Sequence, residues 1–460
     1  MLMPVQTIRD IVVIGGGASA ALIVWNLAHH HQRTCTIIAP TDRPGFGLAY
    51  ATPSLKNLLN VAAGGMSADP HDATHFVEWM RENVSLDTTS GTFVPRAVYG
   101  LYLRQLYCVA APEHIRDTAT ACSKTDGLYT ITLAGGGDVQ ARDVVLACGH
   151  FDPARLPGIP LALDAAGRYH HDAWADGVLA GIGRDEEVVL IGTGLTTVDV
   201  IMRLRENGHR GRITAVSRRG LFPERHAPHE TLAAPVFAPG TVQPTARAYL
   251  HAFRTAPRGG TDWRSAVDSM RPVLNPLWLA LPDAEKRRFR RHLQRRWEIL
   301  RHRMAPDIAD IIAAERDAGT LRVLDGRVDA VAAIGNLLRV TARGTGSNVD
   351  IEAGHVINCT GPSLDYRKAA SPLLRSMLDA GTIVPGFAGA GLRCTLAGAL
   401  IDRAGDPASD LYAIGPARLG VLFESIAIPE IRQQARDLAM LLADRSDMRE
   451  IAALARVKAA

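Results

Sequence analysis

EEVVLIGTGLTTVDV, residues 186–200, joins a short apolar run to a glycine-bounded turn and then to a helix-forming stretch. Such a run, closed by glycine and opening a helix, reads as a buried strand of a parallel sheet entering its crossover helix. The same arrangement stands at residues 11–22, IVVIGGGASAAL. In a dinucleotide-binding turn the first position must leave the strand tightly. The second must carry no Cβ, so that the backbone can approach a pyrophosphate, and the third must be small for helix and strand to pack. These positions are Gly15, Gly17 and Ala20 in the first element, and Gly192, Gly194 and Thr197 in the second. Thr197 is the poorest fit of the six. N–H groups of each helix's first turn then face the phosphates, and the helix dipole favours their charge.

Outward from each turn the order of elements repeats. TCTIIAP (34–40) is the next strand, parallel to the first by the βαβ rule, and helical pieces follow around 73–83 and 97–111. GLYTITLAGGG and VQARDVVLACG (127–149) form a hairpin ending in a buried strand at Val144–Ala147. FDPARLPGIP (151–160) breaks the chain with prolines and glycine. The second half then runs through strand 187–191, helix 195–206 and RITAVS (212–217), and residues 335–361 mirror the first hairpin. A stretch at about 240–320 interrupts the repeat and reads as mostly helical. DLYAIG (410–415) is expected to return to the first sheet, before a helix at about 425–443. The expected architecture is α/β: two Rossmann-like dinucleotide-binding domains with a mostly helical insertion. Residues 1–155 and 363–460 make the first domain and 156–362 the second.

Composition narrows the function. Basic residues exceed acidic ones by only 51 to 47, too little to point to nucleic acid or a membrane surface. The dense basic run Lys286–Arg303 is interleaved with Phe289, Leu293, Trp297 and Leu300, which makes it an amphipathic helix with a solvated face. No apolar run reaches the ~18 residues of a membrane span, and Arg9 and Asp10 precede the first turn where a signal peptide would be apolar. The cysteines at 35, 108, 122, 148, 359 and 394 form no CxxC pair. A disulfide framework, a metal site and a dithiol redox centre are therefore not expected, and a reduced cytoplasmic protein is.

Cofactor preference is read at the strand ends. An acid that holds a ribose would stand near residue 39, which is Ala39, so either Asp42 in the next loop reaches the ribose or the site does without an acid. In VSRRG (216–220), Ser217, Arg218 and Arg219 occupy the corresponding place of the second half. A hydroxyl and two guanidinium groups suit a ribose 2′-phosphate, so NADPH is expected ahead of NADH. Gly45, Gly47, Gly64 and Gly65 allow close backbone approach to a flat ring, which Asn57, Asn60 and Ser67 can hydrogen-bond.

Seven further stretches carry a family resemblance: GFGLAYATPSLKNLLNVAAGGMSADPHDATHFVEWM (45–80), FVPRAVYGLYLRQL (93–106), PERH (223–226), DWRSAVDSMRP (262–272), RRWEILRHRMAP (295–306), VINCTGP (356–362) and LYAIGPARLG (411–420). With VSRRG they resemble the bacterial FAD/NAD(P)-binding flavoproteins whose best-described type is an FAD-dependent urate hydroxylase. The layout more distantly resembles the two-dinucleotide flavoprotein monooxygenases, including amine N-hydroxylases. The resemblance implies FAD at Gly15, Gly17 and Ala20, with Gly47, Asn57, Asn60, Gly149 and Gly415 completing its surroundings. The fingerprint that links the two domains in the larger monooxygenase classes is only partial in AAGRYHHDAW (165–174). His170 and Trp174 are spaced as it requires, Gly167 is one place out of register, and its phenylalanine is absent.

The implied chemistry is monooxygenation. NADPH reduces the flavin, O2 yields a C4a-hydroperoxide, and one oxygen passes to a small polar heterocycle, urate giving 5-hydroxyisourate. N-hydroxylation of an amine or amino acid is the alternative, and NADPH diaphorase activity alone a third. No catalytic residue is singled out. Arg301, His302 and Arg303, then Arg271, are the candidates for binding an anionic substrate, against salt bridges that brace the insertion. His226 and His229 stand just after the NADPH strand, near the nicotinamide or in a solvated loop. Trp263, Trp278 and Trp297 read as core.

Overall fold

The computed structural model describes residues 7–165, 167–344 and 348–459. Ala166, inside the partial fingerprint, and residues 345–347 of the second expected hairpin lie outside that range. In chain order the described strands are β1 (Arg9–Ile14), β2 (Thr36–Ile38), β3 (Glu113–Ile115), β4 (Ala119–Thr125), β5 (Leu128–Leu133), β6 (Asp138–Leu146), β7 (Tyr169–His170), β8 (Val188–Ile191), β9 (Ile213–Ser217), β10 (Leu321–Ile334), β11 (Leu337–Gly344), β12 (Asn348–Ala353), β13 (His355–Asn358), β14 (Ala399–Ile401) and β15 (Pro407–Ala413). The architecture is α/β, with two sheets of Rossmann type.

The chain divides into two compact units. One holds Met1–Pro53, Val61–Phe151 and Ser363–Ala460, the other Ser54–Asn60 and Asp152–Pro362. In the first, the sheet order is β14-β15-β6-β1-β2-β3, with the β4–β5 hairpin attached to β6. Val12 sits opposite Thr36 on one side and Val144 on the other, both parallel, and Leu411 of β15 pairs with Val144. The last strand thus returns to the first sheet. Val12, Ile14, Ile38, Val144, Leu146 and Leu411 are sealed in one core, as expected of strands covered on both faces.

A polar seam ties the C-terminal helix Ile428–Ala459 to this sheet. Asp143, fully buried in β6, meets Arg445 Nε at 3.0 Å and also Arg449. Burying a carboxylate demands such partners.

In the second unit the order is β12-β11-β10-β9-β8-β13-β7. Val188 pairs in parallel with both Ile213 and His355. β10 exceeds the sequence expectation: it starts where the insertion was expected to end, pairs in parallel with β9 from Leu321, and turns antiparallel to β11 from Gly326. The insertion is helical, as expected, in six helices between Ala246 and Asp317.

One segment departs from the expected boundaries. Ser54–Asn60 lies inside the first domain as the sequence divides the chain, and belongs to the second unit. Its ends explain why: Ser54 Oγ donates to Glu206 Oε2 at 2.5 Å, and His226 Nε2 lies 3.0 Å from the Asn60 carbonyl. Asn57 between them is fully buried.

Candidate cofactor sites

The two glycine turns are built alike. Gly15 and Gly192 both have φ of +130°, which only glycine adopts without strain. A Cβ on Gly15 would lie 2.2 Å from the Ala147 carbonyl oxygen, and one on Gly192 would lie 2.6 Å from that of Cys359. Both carbonyls belong to the residue that follows the hairpin's terminal strand. The hydrogen bonds match as well. Gly15 N–H donates to Ile38 O and Ala147 N–H to Ile14 O; Gly192 N–H donates to Val216 O and Cys359 N–H to Ile191 O.

Each turn opens a helix that its own side chains leave uncapped. Ala18–His31 has Gly17 at its N-cap and Leu195–Glu206 has Gly194, neither with a side-chain cap nor with an acid in the first turn. Thr245, Asp262 and Ser371 cap their helices with a side chain, while others, such as Arg96–Ala110 and Pro306–Asp317, are uncapped without a glycine turn before them. An uncapped N-terminus keeps its N–H groups and its positive dipole end for an anion. No atom stands within 4 Å of where a Cβ of Gly194 would be, so a pyrophosphate can reach that backbone. Ala20 and Thr197 are fully buried between helix and strand. The Thr197 hydroxyl faces Cys359, whose thiol burial pushes up.

Around the first turn, Gly45 N–H donates to the Gly16 carbonyl at 2.9 Å, so the GFG loop is bonded to the turn itself. Phe46 fills the notch left by Gly100 of helix Arg96–Ala110, where a Cβ would lie 2.4 Å from its ring. Gly415 arrives from β15 with φ of +72°, its missing Cβ 2.3 Å from Ser19 Oγ in the first helical turn. Gln434 Oε1 accepts the Gly415 N–H, and Ser425 Oγ donates to its carbonyl. Gly149 has φ of +70° and open space around it, and its carbonyl accepts from the Tyr366 hydroxyl at 2.9 Å. Gly15, Gly17, Ala20, Gly47, Gly149 and Gly415 therefore fall in one unit. Asn57 and Asn60 fall in the other. Ala39 is buried, and a Cβ on Gly16 would lie 2.8 Å from its own, so an apolar contact stands at the place expected of an acid; Asp42 is exposed in the loop beyond.

At the second turn the three polar residues of VSRRG have separate roles. Ser217 Oγ lies 2.8 Å from Thr193 Oγ1 and accepts from Gly220 N–H. Arg219 donates to the carbonyls of Arg291 and His292, at the end of an inserted helix. Arg218 is exposed. Sequence reasoning missed Arg295, whose Nη2 donates to Thr193 O at 2.9 Å and to Leu221 O at 2.5 Å. A guanidinium of the insertion is thus fixed on the middle residue of the glycine turn. Its separation of 102 residues from Thr193 left no local signal.

The candidate substrate residues split in two. Arg303 is buried and pairs with Asp268, which His229 Nε2 also contacts at 2.9 Å. Arg301 is buried too. Burial, then Arg301, Arg271 and Arg295, push the His302 imidazole down to about 3, so it is neutral among cations. Trp263 and Trp297 are half-buried and Trp278 is buried.

Residues 12–151 match the family model described as FAD-NAD(P)-binding. The chain carries an FAD/NAD(P)-binding domain. A curated relative, the Baeyer-Villiger monooxygenase ATR8 of Stachybotrys chlorohalonatus, is 24% identical over 223 residues. That alignment takes in 44% of this chain and spans a third (33%) of the relative's length. Among solved structures, an ornithine N-hydroxylase of Kutzneria sp. 744 superposes with a TM-score of 0.66 at 15% identity, covering 96% of this chain and 100% of that one. L-lysine 6-monooxygenase of Pseudomonas syringae gives 0.66 at 13%, covering 94% and 99%. The bacillithiol disulfide reductase of Bacillus cereus gives 0.57 at 13%, covering 95% and 100%. The fold is the one these solved structures share, an α/β fold with two Rossmann-type sheets. Among the described residues no helix is long and apolar enough to cross a membrane.

Proposed function

We propose that the chain is an FAD-dependent monooxygenase that consumes NADPH and O2, and that its substrate is an amine or amino acid. The carrying observation is the pair of uncapped glycine turns in equivalent registers, one in each unit. FAD is assigned to the turn at Gly15, within the matched segment, and the nicotinamide dinucleotide to the turn at Gly192. When bound, the two cofactors supply two-electron reduction and, with O2, an oxygen atom for transfer. The protein's part is placement. Uncapped helix ends receive the phosphates, Gly45 and Gly415 bring backbone to the flavin turn, and Arg218 is free to fork onto a 2′-phosphate.

Hydroxylation of nitrogen is preferred to hydroxylation of urate for two reasons. The full-length structural neighbours named above include two amine hydroxylases. The cations that would have favoured an anionic purine are also engaged otherwise. Arg303 pairs with Asp268, while Arg271, Arg301 and Arg295 share their surroundings with His302, next to the donor's turn. We assign that basic group to the phosphates of the donor. Disulfide reduction gains no support, since burial pushes the Cys148 thiol up to about 12 and that of Cys359 higher still.

Purified protein should be yellow and should oxidise NADPH in air. Aliphatic diamines, ornithine, lysine and urate are assayed side by side, with hydroxylamine product, 5-hydroxyisourate and H2O2 measured separately. An amine that speeds NADPH oxidation and yields hydroxylamine supports the reading. Stimulation by urate with 5-hydroxyisourate formed would restore the purine reading, and H2O2 alone with every substrate would leave only diaphorase activity.

A further inference from the structure

Helix Ala18–His31 ends in His29-His30-His31. Two of these imidazoles converge with a carboxylate from a distant loop: the ligand atoms of His29, His30 and Asp69 all lie within 4.8 Å of one another. His30 Nε2 stands 3.2 Å from Asp69 Oδ2, already the ~3.3 Å that two ligands of a tetrahedral zinc ion keep when each bond is about 2.0–2.1 Å. That Nε2 is shut away from solvent, yet it makes no hydrogen bond of acceptable geometry. A buried ring nitrogen aimed at a carboxylate without bonding to it is the arrangement an intervening cation explains.

The surroundings fit a built site. Asp69 is buried, its Oδ1 accepts the His71 N–H, and its own N–H donates to Ser67 Oγ. Ser67 Oγ in turn donates to the Asp72 carbonyl, Arg432 holds the Ser67 carbonyl, and the Tyr102 hydroxyl accepts from Ala68 N–H. The carboxylate is therefore fixed by outer partners of the kind that tune metal sites. On the other side Trp25 stacks on His29 at 4.3 Å and 12°, and the His71 ring stands edge-on to His30 at 4.8 Å. All of these residues belong to the first unit. The ligands lie at the helix's C-terminal end, where the dipole favours a cation.

We propose that His29, His30 and Asp69 bind a divalent transition-metal ion of the zinc class, which pins the end of the first helix to the loop 67–72. Two imidazole nitrogens and one carboxylate oxygen suit zinc and its borderline neighbours, whereas calcium and magnesium require an oxygen shell. The fourth position is left to water or to His71. The ion's role is structural, and it takes no part in the flavin chemistry proposed above.

The test uses the full chain without an affinity tag, isolated with its flavin and stripped with a chelator. Zn2+ is titrated calorimetrically, and bound zinc is counted by elemental analysis after dialysis. The wild type should take up one equivalent and melt at a higher temperature with zinc than without. His29→Ala, at an exposed position, should keep its flavin and lose the thermal response. Outer partners alone are worth ~10–100-fold in metal affinity, so His29→Ala and Asp69→Asn should each weaken binding by about 100-fold or more. Cys108→Ser, which removes an exposed thiol, should change nothing. The proposal is overturned if the wild type binds no zinc, or if the His29 and Asp69 variants bind it as tightly as the wild type.

Discussion

Gly47 stands against Gly17 so closely that a Cβ on Gly47 would lie 3.1 Å from the Gly17 Cα. The loop carrying Phe46 can approach the first dinucleotide turn only because both residues lack a side chain. Gly47 also has φ of +50°, a conformation that costs other residues about 1–2 kcal/mol. Gly47→Ala is therefore expected to lower the melting temperature modestly and to reduce the flavin-to-protein ratio measured by absorbance. An unchanged ratio would remove the loop from the flavin's surroundings.

Gly192→Ala separates the two turns. A Cβ meeting the Cys359 carbonyl at 2.6 Å forces the turn open. The variant should purify yellow, with its flavin content intact, and be reduced by NADPH at least tenfold more slowly in a stopped-flow experiment, since about 1.4 kcal/mol of lost binding suffices for that factor. Dithionite should still reduce it fully. Loss of flavin instead would reverse the assignment of the two turns.

Arg218 and Arg219 are adjacent but should behave differently. Arg218 is exposed and is assigned here to the 2′-phosphate, where a charged hydrogen bond is worth ~1.5–3 kcal/mol. Arg218→Ala should raise KM for NADPH by roughly 10–100-fold and leave KM for NADH unchanged. Arg219 donates to two helix-end carbonyls, so Arg219→Ala should lower thermal stability with little change in the NADPH-to-NADH ratio.

The seam at Asp143 predicts an asymmetry. Removing both arginines, Arg445→Ala with Arg449→Ala, strands a fully buried carboxylate and should cost ~3–5 kcal/mol in urea unfolding. Asp143→Asn, which removes the charge with the bulk retained, should cost less.

Two half-buried histidines set a pH dependence. Burial first, then nearby arginines, push His302 down to about 3 and His226 to about 4, from an ordinary 6.5. In the folded protein both are neutral, whereas the unfolded chain takes up their protons as pH falls through 6.5. Their contribution to stability is complete above that value and is lost progressively from there down to about 4 and 3, by at most ~1.4 kcal/mol per pH unit for each group. Urea midpoints at pH 7.5 and pH 5 should differ in that sense, and His302→Gln should narrow the gap.

The glycine turns were legible because their constraint is local: a positive φ, a missing Cβ and a strand–helix junction are all written within a dozen residues. The repeat around them was legible for the same reason, and so was the return of β15 to the first sheet. β10 was not, because Asp325-Gly326-Arg327 at its centre reads as a turn, while the chain uses it to pass from parallel pairing with β9 to antiparallel pairing with β11. Arg295 on Thr193 and Arg303 on Asp268 depend on how the inserted helices fold back. Nothing in the adjacent residues separates these guanidinium groups from the solvated ones beside them. The meeting of His30 with Asp69 was hidden likewise, since a triple histidine at a helix end reads as ordinary surface.

The segment Ser54–Asn60 has a consequence for how the chain can be divided. The polypeptide passes from one unit to the other after Pro53, Asn60, Phe151 and Pro362. No single proteolytic cut therefore releases an intact half. A fragment spanning 152–362 would lack the strip that carries Asn57 and would leave the Glu206 carboxylate and the His226 imidazole without their partners from that strip. Excising the second unit from its host would thus require supplying seven residues from elsewhere in the gene, and synthesis from the N-terminus must hold that strip waiting until Glu206, 152 residues beyond Ser54, has emerged to receive it.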